Sequence, residues 1–168
     1  VWGIDCDPLA VEFETRLAER YPGRLTVLTG RYGDMAELLA GVDVSQIDGM
    51  ALDLGVSSMQ LDDPARGFSF RVDGPLDMRM GEGERTAADV VNQMAERELA
   101  DIIYRYGEER ASRRIAKAIV ELRRQTSITR TGQLAELIRS VVSRSKGGID
   151  PATRTFQALR IYVNAELD

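Results

Sequence analysis

The sequence predicts an α/β protein: part of a Rossmann-like parallel sheet, into which an all-helical domain is inserted. Three observations carry that expectation. Strand-like apolar runs alternate with helix-like segments through the first third of the chain. Helical periodicity takes over from about Leu76. The charge also changes sign along the chain: residues 1–104 hold nine arginines and 20 acids, whereas residues 105–168 hold 11 arginines, two lysines and seven acids.

The elements follow in order. "VWGI" reads as the end of a buried strand that finishes at Asp5. Asp7-Pro8 then supplies an N-cap and a first helical residue. Leu9, Phe13 and Leu17 recur at i, i+4 and i+8, an apolar stripe expected to pack on the sheet. Tyr21-Pro22-Gly23 stops that helix. "RLTVLTG" is expected as a second strand, "MAELLAGV" as a short helix, and "IDGMALDLG" as a third strand, apolar on both faces as a covered parallel strand should be. Beyond Leu76, four helices are expected at about 87–104, 109–125, 132–143 and 152–166, with Thr131 capping the third and Pro151 opening the fourth. The second places Ile115, Ile119 and Leu122 on one face and Arg113, Arg114, Lys117, Arg123 and Arg124 largely around the others. Three parallel strands alone would leave long exposed edges, so the helices read as an insertion. The expected division is residues 1–75 for the partial sheet domain, 76–150 for the helical insert, and 151–168 for a helix returning to the first domain.

With 168 residues, 43% of them hydrophobic, the chain suits one or two small domains with a core. No run approaches ~18 apolar residues and no basic-then-apolar leader is visible, so neither a membrane span nor a signal peptide is expected. The single cysteine, Cys6, forms no intrachain disulfide, in keeping with a reducing cytosol. Histidine is absent, which excludes Ser-His and Cys-His nucleophile pairs and any His-based zinc site; no metal is expected. An acidic first part joined to a basic second part points to nucleic acid, although solvated helix faces would give the same charges.

Ligands of open α/β sheets sit beyond the carboxyl ends of the strands. Asp5 ends the first strand, where an acid can accept both hydroxyls of a nucleoside ribose. Tyr32 follows the second strand, well placed to lie against an adenine. Asp53 and the turn bearing Gly55, Ser57, Ser58 and Gln60 follow the third. On these residues alone a nicotinamide cofactor fits Asp5 equally well, and an N-cap role for Asp5 is the plainer alternative, although Asp7 suits that role better.

Longer motifs separate those alternatives. "IDGMALDLGVSSMQLDDPARGFSFRVDGPLDMRM" and "PATRTFQALRIYVNAEL" closely resemble the RsmH/MraW family, as do "GIDCDPLA" and "YGEERASRRIAKAIV", and the resemblance runs from Val1 to Asp168. It implies an S-adenosylmethionine (SAM)-dependent methyltransferase of the cytoplasm, acting in ribosome biogenesis. Its substrate would be the exocyclic N4 amino group of a cytidine in the 16S ribosomal RNA of the small subunit. The same resemblance makes Asp5 the ligand of the SAM ribose, gives Tyr32 an aromatic contact to the cofactor, and puts Asp53 and Gln60 at the remaining cofactor positions. The amino nitrogen of cytosine is a poor nucleophile because its lone pair is delocalised into the ring, so orientation does much of the work. Asp53, Ser57 and Ser58 are the candidates for holding it, and no general base is named. Arg113, Arg114, Lys117, Arg123 and Arg124 become the expected RNA grip. Arg154 either binds phosphate or ties its helix to the acids Asp62 and Asp63. Phe68 and Phe70 either pack in the core or stack on bases. The family's glycine-rich Gly-Gly-His-Ser loop and its Ser-Phe-His-Ser strand lie outside these residues, and Asp150 stands where the family has His. The segment alone is therefore expected to be catalytically incomplete, with an RNA-binding or ribosome-assembly module as the alternative reading.

Overall fold

The computed structural model describes residues 1–81, 83, 85–143 and 148–167, and divides into two units, residues 1–54 and 55–167.

In the first unit β1 (Trp2–Asp5) pairs in parallel with β2 (Thr26–Thr29), Trp2 opposite Thr26 through Asp5 opposite Thr29. A parallel pair needs a crossover rather than a hairpin, and α1 (Pro8–Ala18) provides it, packing on both strands. Asp7 is extended, and its Oδ1 accepts the Leu9 N–H at 3.0 Å, with Pro8 opening the helix as expected. The apolar stripe is not the one anticipated. Leu9 and Phe13 are 47% and 59% exposed, while the more enclosed residues of α1 are Ala10, Val11, Glu14, Leu17 and Ala18. The inward face thus includes a carboxylate. A 3-10 turn (Tyr32–Asp34) leads into α2 (Met35–Ala40), whose Leu39 is buried.

The third strand is absent. Residues 47–54 form no ladder, and Ile47, Met50, Leu52 and Leu54 stay exposed. This segment faces Trp2 and Ile4 of β1 and Leu39 of α2 across a cavity of 530 Å³. A hollow between the two backbones keeps them beyond the ~4.8 Å spacing that ladder hydrogen bonds require. The apolar run gave the right composition for a strand, but composition does not supply a paired edge.

The second unit is helical: α3 (Ser58–Asp62), α4 (Ala87–Gln93), α5 (Glu96–Gly107), α6 (Ser112–Arg123), α7 (Thr131–Val141) and α8 (Ala152–Asn164). The helix expected at 87–104 is two helices, broken where Met94 and Ala95 are extended. Arg123 explains the break. Its Nη1 donates to the Val91 and Met94 carbonyls at 2.8 and 2.7 Å, satisfying acceptors that helix ends otherwise leave orphaned. Leu99 and Ile103 of α5, Ile115 and Ile119 of α6, Leu134 and Ile138 of α7, and Leu159 of α8 are wholly enclosed. The Cβ of any residue at Gly107 would collide with the Arg154 carbonyl oxygen, so α5 and α8 approach closely there.

Residues 63–80 fold onto these helices, which is why 55–75 sits in the helical unit. Thr131 N–H donates to the Gly74 carbonyl at 2.9 Å, and the Gly74 N–H donates to Thr131 Oγ1 at 3.0 Å. Asp73 pairs with Arg130 and accepts the Gly132 N–H. Asn164 Oδ1 accepts the Met80 N–H and its Nδ2 donates to the Met78 carbonyl, each at 2.7 Å. Thr131 therefore does not cap α7, being its first residue. Asp73 and Gln133 do that work, the latter accepting the Thr129 and Arg130 N–H groups.

Candidate functional site

The carboxyl ends of β1 and β2 are tied together by the Gly30 N–H, which donates to the Asp5 carbonyl at 3.0 Å. Leu38 lies so close to Gly30 that a Cβ would stand 2.7 Å from its Cδ1. Two of the expected site residues meet at this edge. Asp5 is half-buried, and its Oδ1 accepts the Asp7 N–H at 2.8 Å. Oδ2 has no hydrogen bond among the described residues and is the oxygen a ligand hydroxyl could reach. Tyr32 follows two residues after Gly30, half-buried, and lines the 530 Å³ cavity. That volume lies within the ~300–1,000 Å³ typical of small-ligand sites. Asp53 is exposed, one residue beyond the segment that forms the cavity's far wall.

Glu14 was not anticipated. Its Oε2 is buried without a hydrogen-bond partner, 3.5 Å from where a Cβ on Gly3 would stand. Burial first, and then the Asp5 charge, push its carboxyl above the ordinary range. An acid four residues after Ala10 and three before Leu17, on the inward face of α1, was the available signal. Burial likewise raises the Cys6 thiol, with Asp5 adding to the effect.

The remaining candidates of the opening turn lie in the helical unit. Ser57 and Gln60 form a reciprocal cap on α3: the Ser57 N–H donates to Gln60 Oε1 at 2.9 Å, and the Gln60 N–H to Ser57 Oγ at 3.2 Å. Ser57 is therefore a capping residue here. Gln60 is buried, and Ser58 opens α3 with an exposed side chain.

The arginine face resolves into different roles. Arg113, Arg114, Lys117 and Arg124 are exposed. Lys117 faces Glu121 at 3.8 Å along α6. Arg123 is the cap on α4 described above. Arg154 does not reach Asp62 or Asp63; its Nη1 donates to the Glu108 carbonyl at 3.3 Å. Phe68 is buried with Arg66 over its ring at 5.5 Å. Phe70 meets Phe156 edge-to-face at 4.7 Å and carries Arg139 on its other partner contact at 5.4 Å. Both phenylalanines pack with protein. Among the described residues no group of three His, Cys, Asp or Glu could hold a metal ion, and no helix is long and apolar enough to cross a membrane.

A β-α-β unit with a carboxylate at the end of its first strand, joined to an arginine-bearing helical unit, defines an α/β protein whose make-up is consistent with a methyltransferase fold. The chain belongs to the MraW methylase family, whose model matches residues 1–168. It is 65% identical over 167 residues to a ribosomal RNA small subunit methyltransferase H of Rhodospirillum centenum, covering 99% of this chain and 51% of that protein. Proteins of the same name in Paramagnetospirillum magneticum and Rhodospirillum rubrum are 63% and 60% identical, with 99% of this chain and 52% and 51% of theirs aligned. The chain thus spans about half the length of the curated relatives it matches.

Proposed function

We infer that this chain belongs to a SAM-dependent methyltransferase that modifies the exocyclic N4 of a cytidine in 16S ribosomal RNA, in the cytoplasm. The observation that carries this reading is the unbroken match of residues 1–168 to the family, with relatives at 60–65% identity named as small-subunit ribosomal RNA methyltransferases. In this reading residues 1–75 and 151–168 contribute to the methyltransferase domain, and residues 76–150 are its helical, RNA-facing insert.

Asp5 would accept the ribose hydroxyls through Oδ2, and Tyr32 would lie against the adenine. Asp5 is half-buried at the end of β1, and Tyr32 lines the hollow beside it, whose walls include Ile4 but not Asp5 itself. Asp53 and Gln60 complete the cofactor-binding set, while Ser57 and Ser58, with Asp53, are the groups assigned to the target base. SAM supplies an electrophilic methyl group on sulfur. The protein's task is orientation: acceptors on the amino hydrogens hold the nitrogen lone pair toward that methyl, and good alignment alone lowers a barrier by several kcal/mol. Arg113, Arg114 and Arg124 supply phosphate contacts.

The test uses the full-length protein with labelled SAM and small ribosomal subunits lacking the modification, followed by base-resolved analysis of the RNA. Methylation at one cytidine N4 is expected; none would overturn the reading. Asp5→Asn keeps the oxygen that accepts the Asp7 N–H and removes the charge. Losing charge-assisted bonds worth roughly 1.5–3 kcal/mol should raise the SAM dissociation constant at least tenfold by calorimetry.

A further inference from the structure

The helical unit carries a second concave site that none of the assigned residues except Arg154 touches. A cleft of 1090 Å³ opens beside the end of α5 and the start of α8, lined by Asp101, Tyr104, Arg105, Glu108, Arg110 and Arg154. Its walls are fixed by the close approach at Gly107 and by the Arg154 bond to the Glu108 carbonyl. Tyr104 is 62% exposed, although its neighbours Ile102 and Ile103 are buried. A solitary exposed tyrosine needs no explanation. This one stands in a concavity with three arginines. Arg110 also lines a second hollow of 540 Å³, shared with Arg113 and Arg114, so the two hollows share a wall at Arg110.

We propose that this cleft takes an unpaired nucleotide of the RNA, its base stacked on Tyr104 and the adjoining backbone led past Arg110 to Arg113 and Arg114. Three chemical features select that occupant. An open aromatic face offers sequence-tolerant stacking to a splayed base. The three arginines lining the cleft match phosphates in a way that a neutral or basic peptide would not exploit. Asp101 and Glu108 can accept from the exocyclic amino group of cytosine or adenine, a donor that an acidic peptide lacks. The cleft exceeds the volume of ordinary small-ligand sites, which leaves room for the flanking phosphates. A duplex could not present a base to Tyr104 without opening. The site therefore reads single-stranded rather than duplex RNA. It deepens the reading given above and rests on RNA being the partner.

Fluorescence anisotropy on the full-length protein tests it, using a labelled single-stranded RNA oligonucleotide and the same strand annealed to its complement. Tyr104→Ala is expected to weaken the single strand about tenfold, with an unchanged salt slope and an unchanged affinity for the duplex. Tyr104→Phe keeps the ring and should restore binding, which separates stacking from any effect on folding. Arg110→Gln should shallow the salt slope by about one. Equal single-strand affinity for parent and Tyr104→Ala would overturn the proposal, as would equal losses on single strand and duplex. Tighter binding of a labelled poly-glutamate peptide than of the RNA would also overturn it, in favour of a protein partner. Cytidine methylation is scored in parallel on the same preparations. A parent that methylates nothing, yet loses the single strand on Tyr104→Ala, refutes the enzyme reading and keeps this site. A parent that methylates, with Tyr104→Ala binding unchanged, does the reverse.

Discussion

The helical unit encloses its apolar side chains, and the strand unit leaves most of its own in water. Leu99, Ile103, Ile115, Ile119, Leu134, Ile138 and Leu159 are fully buried in residues 55–167, whereas Leu39 is the one buried apolar residue between Val1 and Leu54 among the described residues. The polar groups do not divide so cleanly. Asp73, Asp77 and Asp89 of the helical unit all have partners, but each unit keeps one buried oxygen with no hydrogen bond among the described residues, Glu14 Oε2 in the strand unit and Thr155 Oγ1 in the helical unit. The apolar difference follows from geometry. Helices with one apolar stripe close a core by packing pairwise. Parallel strands need cover on both faces and partners on both edges, and one crossover helix covers only one face. Stability should therefore reside in the helical unit, and the strand-end edge at Asp5 and Tyr32 should be the easier to deform.

The largest test of that contrast is Ile119→Ala. Ile119 is fully enclosed on α6, and deleting such a side chain typically costs about 2–5 kcal/mol. Urea unfolding followed by far-ultraviolet circular dichroism should show it. A loss below about 1 kcal/mol would mean that the helical core is as loose as the strand unit. Asn164→Ala comes next. It strips the Met80 N–H and the Met78 carbonyl of their partners, groups more than 80 positions away in sequence, and leaving such groups unsatisfied costs roughly 1–3 kcal/mol. Faster hydrogen exchange at the Met80 amide would localise the loss to that loop.

How much of this was readable beforehand differs between the units for the same reason. The α6 face of Ile115 and Ile119, the Asp7-Pro8 helix start and the order of the last three helices follow from local periodicity and capping, and they stand as expected. What failed depends on distant partners. The break at Met94 needs Arg123, which lies 29 residues later, and the cap on α7 needs Asp73, which lies 59 residues before Gly132. The missing third strand needs an edge rather than a sequence. The site divides similarly. Asp5 and Tyr32 follow from the rule about strand ends, and the spacing of Ser57 and Gln60 is a local capping-box signature that their assignment as ligand groups left unused. The periodicity of α6 also did not show that Arg123 turns inward to carbonyls while Arg113 and Arg114 stay in solvent.

Acid titration sharpens the comparison further. The Arg79 hydrogen bonds hold the Asp77 carboxyl below its ordinary range, and the Thr86 hydroxyl and N–H do the same for Asp89. A depressed carboxyl adds stability that is complete above the unfolded value near ~3.9 and is lost as pH falls through the lower folded value. Glu14 has the opposite sign. Its folded carboxyl is raised, so the ionised form costs stability at neutral pH and that cost disappears as pH falls through the raised value. Unfolding midpoints of the helical unit should owe no pH dependence to these two groups down to about pH 4 and should begin to fall only below it. Glu14→Gln should raise the neutral-pH midpoint of the strand unit and flatten its dependence on pH above the ordinary glutamate value, where the parent gains as pH falls. A lowered midpoint in Glu14→Gln would show that the charged form is stabilised by groups outside α1 and β1.

The smallest effect belongs to Phe13→Ala. The i, i+4, i+8 spacing of Leu9, Phe13 and Leu17 marks Phe13 as a core residue, for which truncation would cost about 3–5 kcal/mol. In the structure it is 59% exposed on α1, and the inward positions are Ala10, Glu14 and Leu17. A side chain in that situation changes stability by no more than about 0.5 kcal/mol on truncation. The gain in helix propensity from Phe to Ala, a few tenths of a kcal/mol, opposes even that loss. Two physical pictures thus differ by several kcal/mol on one substitution in the 168-residue chain. A midpoint within error of the parent supports the exposed placement. A loss near ~3 kcal/mol would show that α1 is rotated to put its aromatic stripe against the strands, with Glu14 in water and its carboxyl free of the burial that raises it.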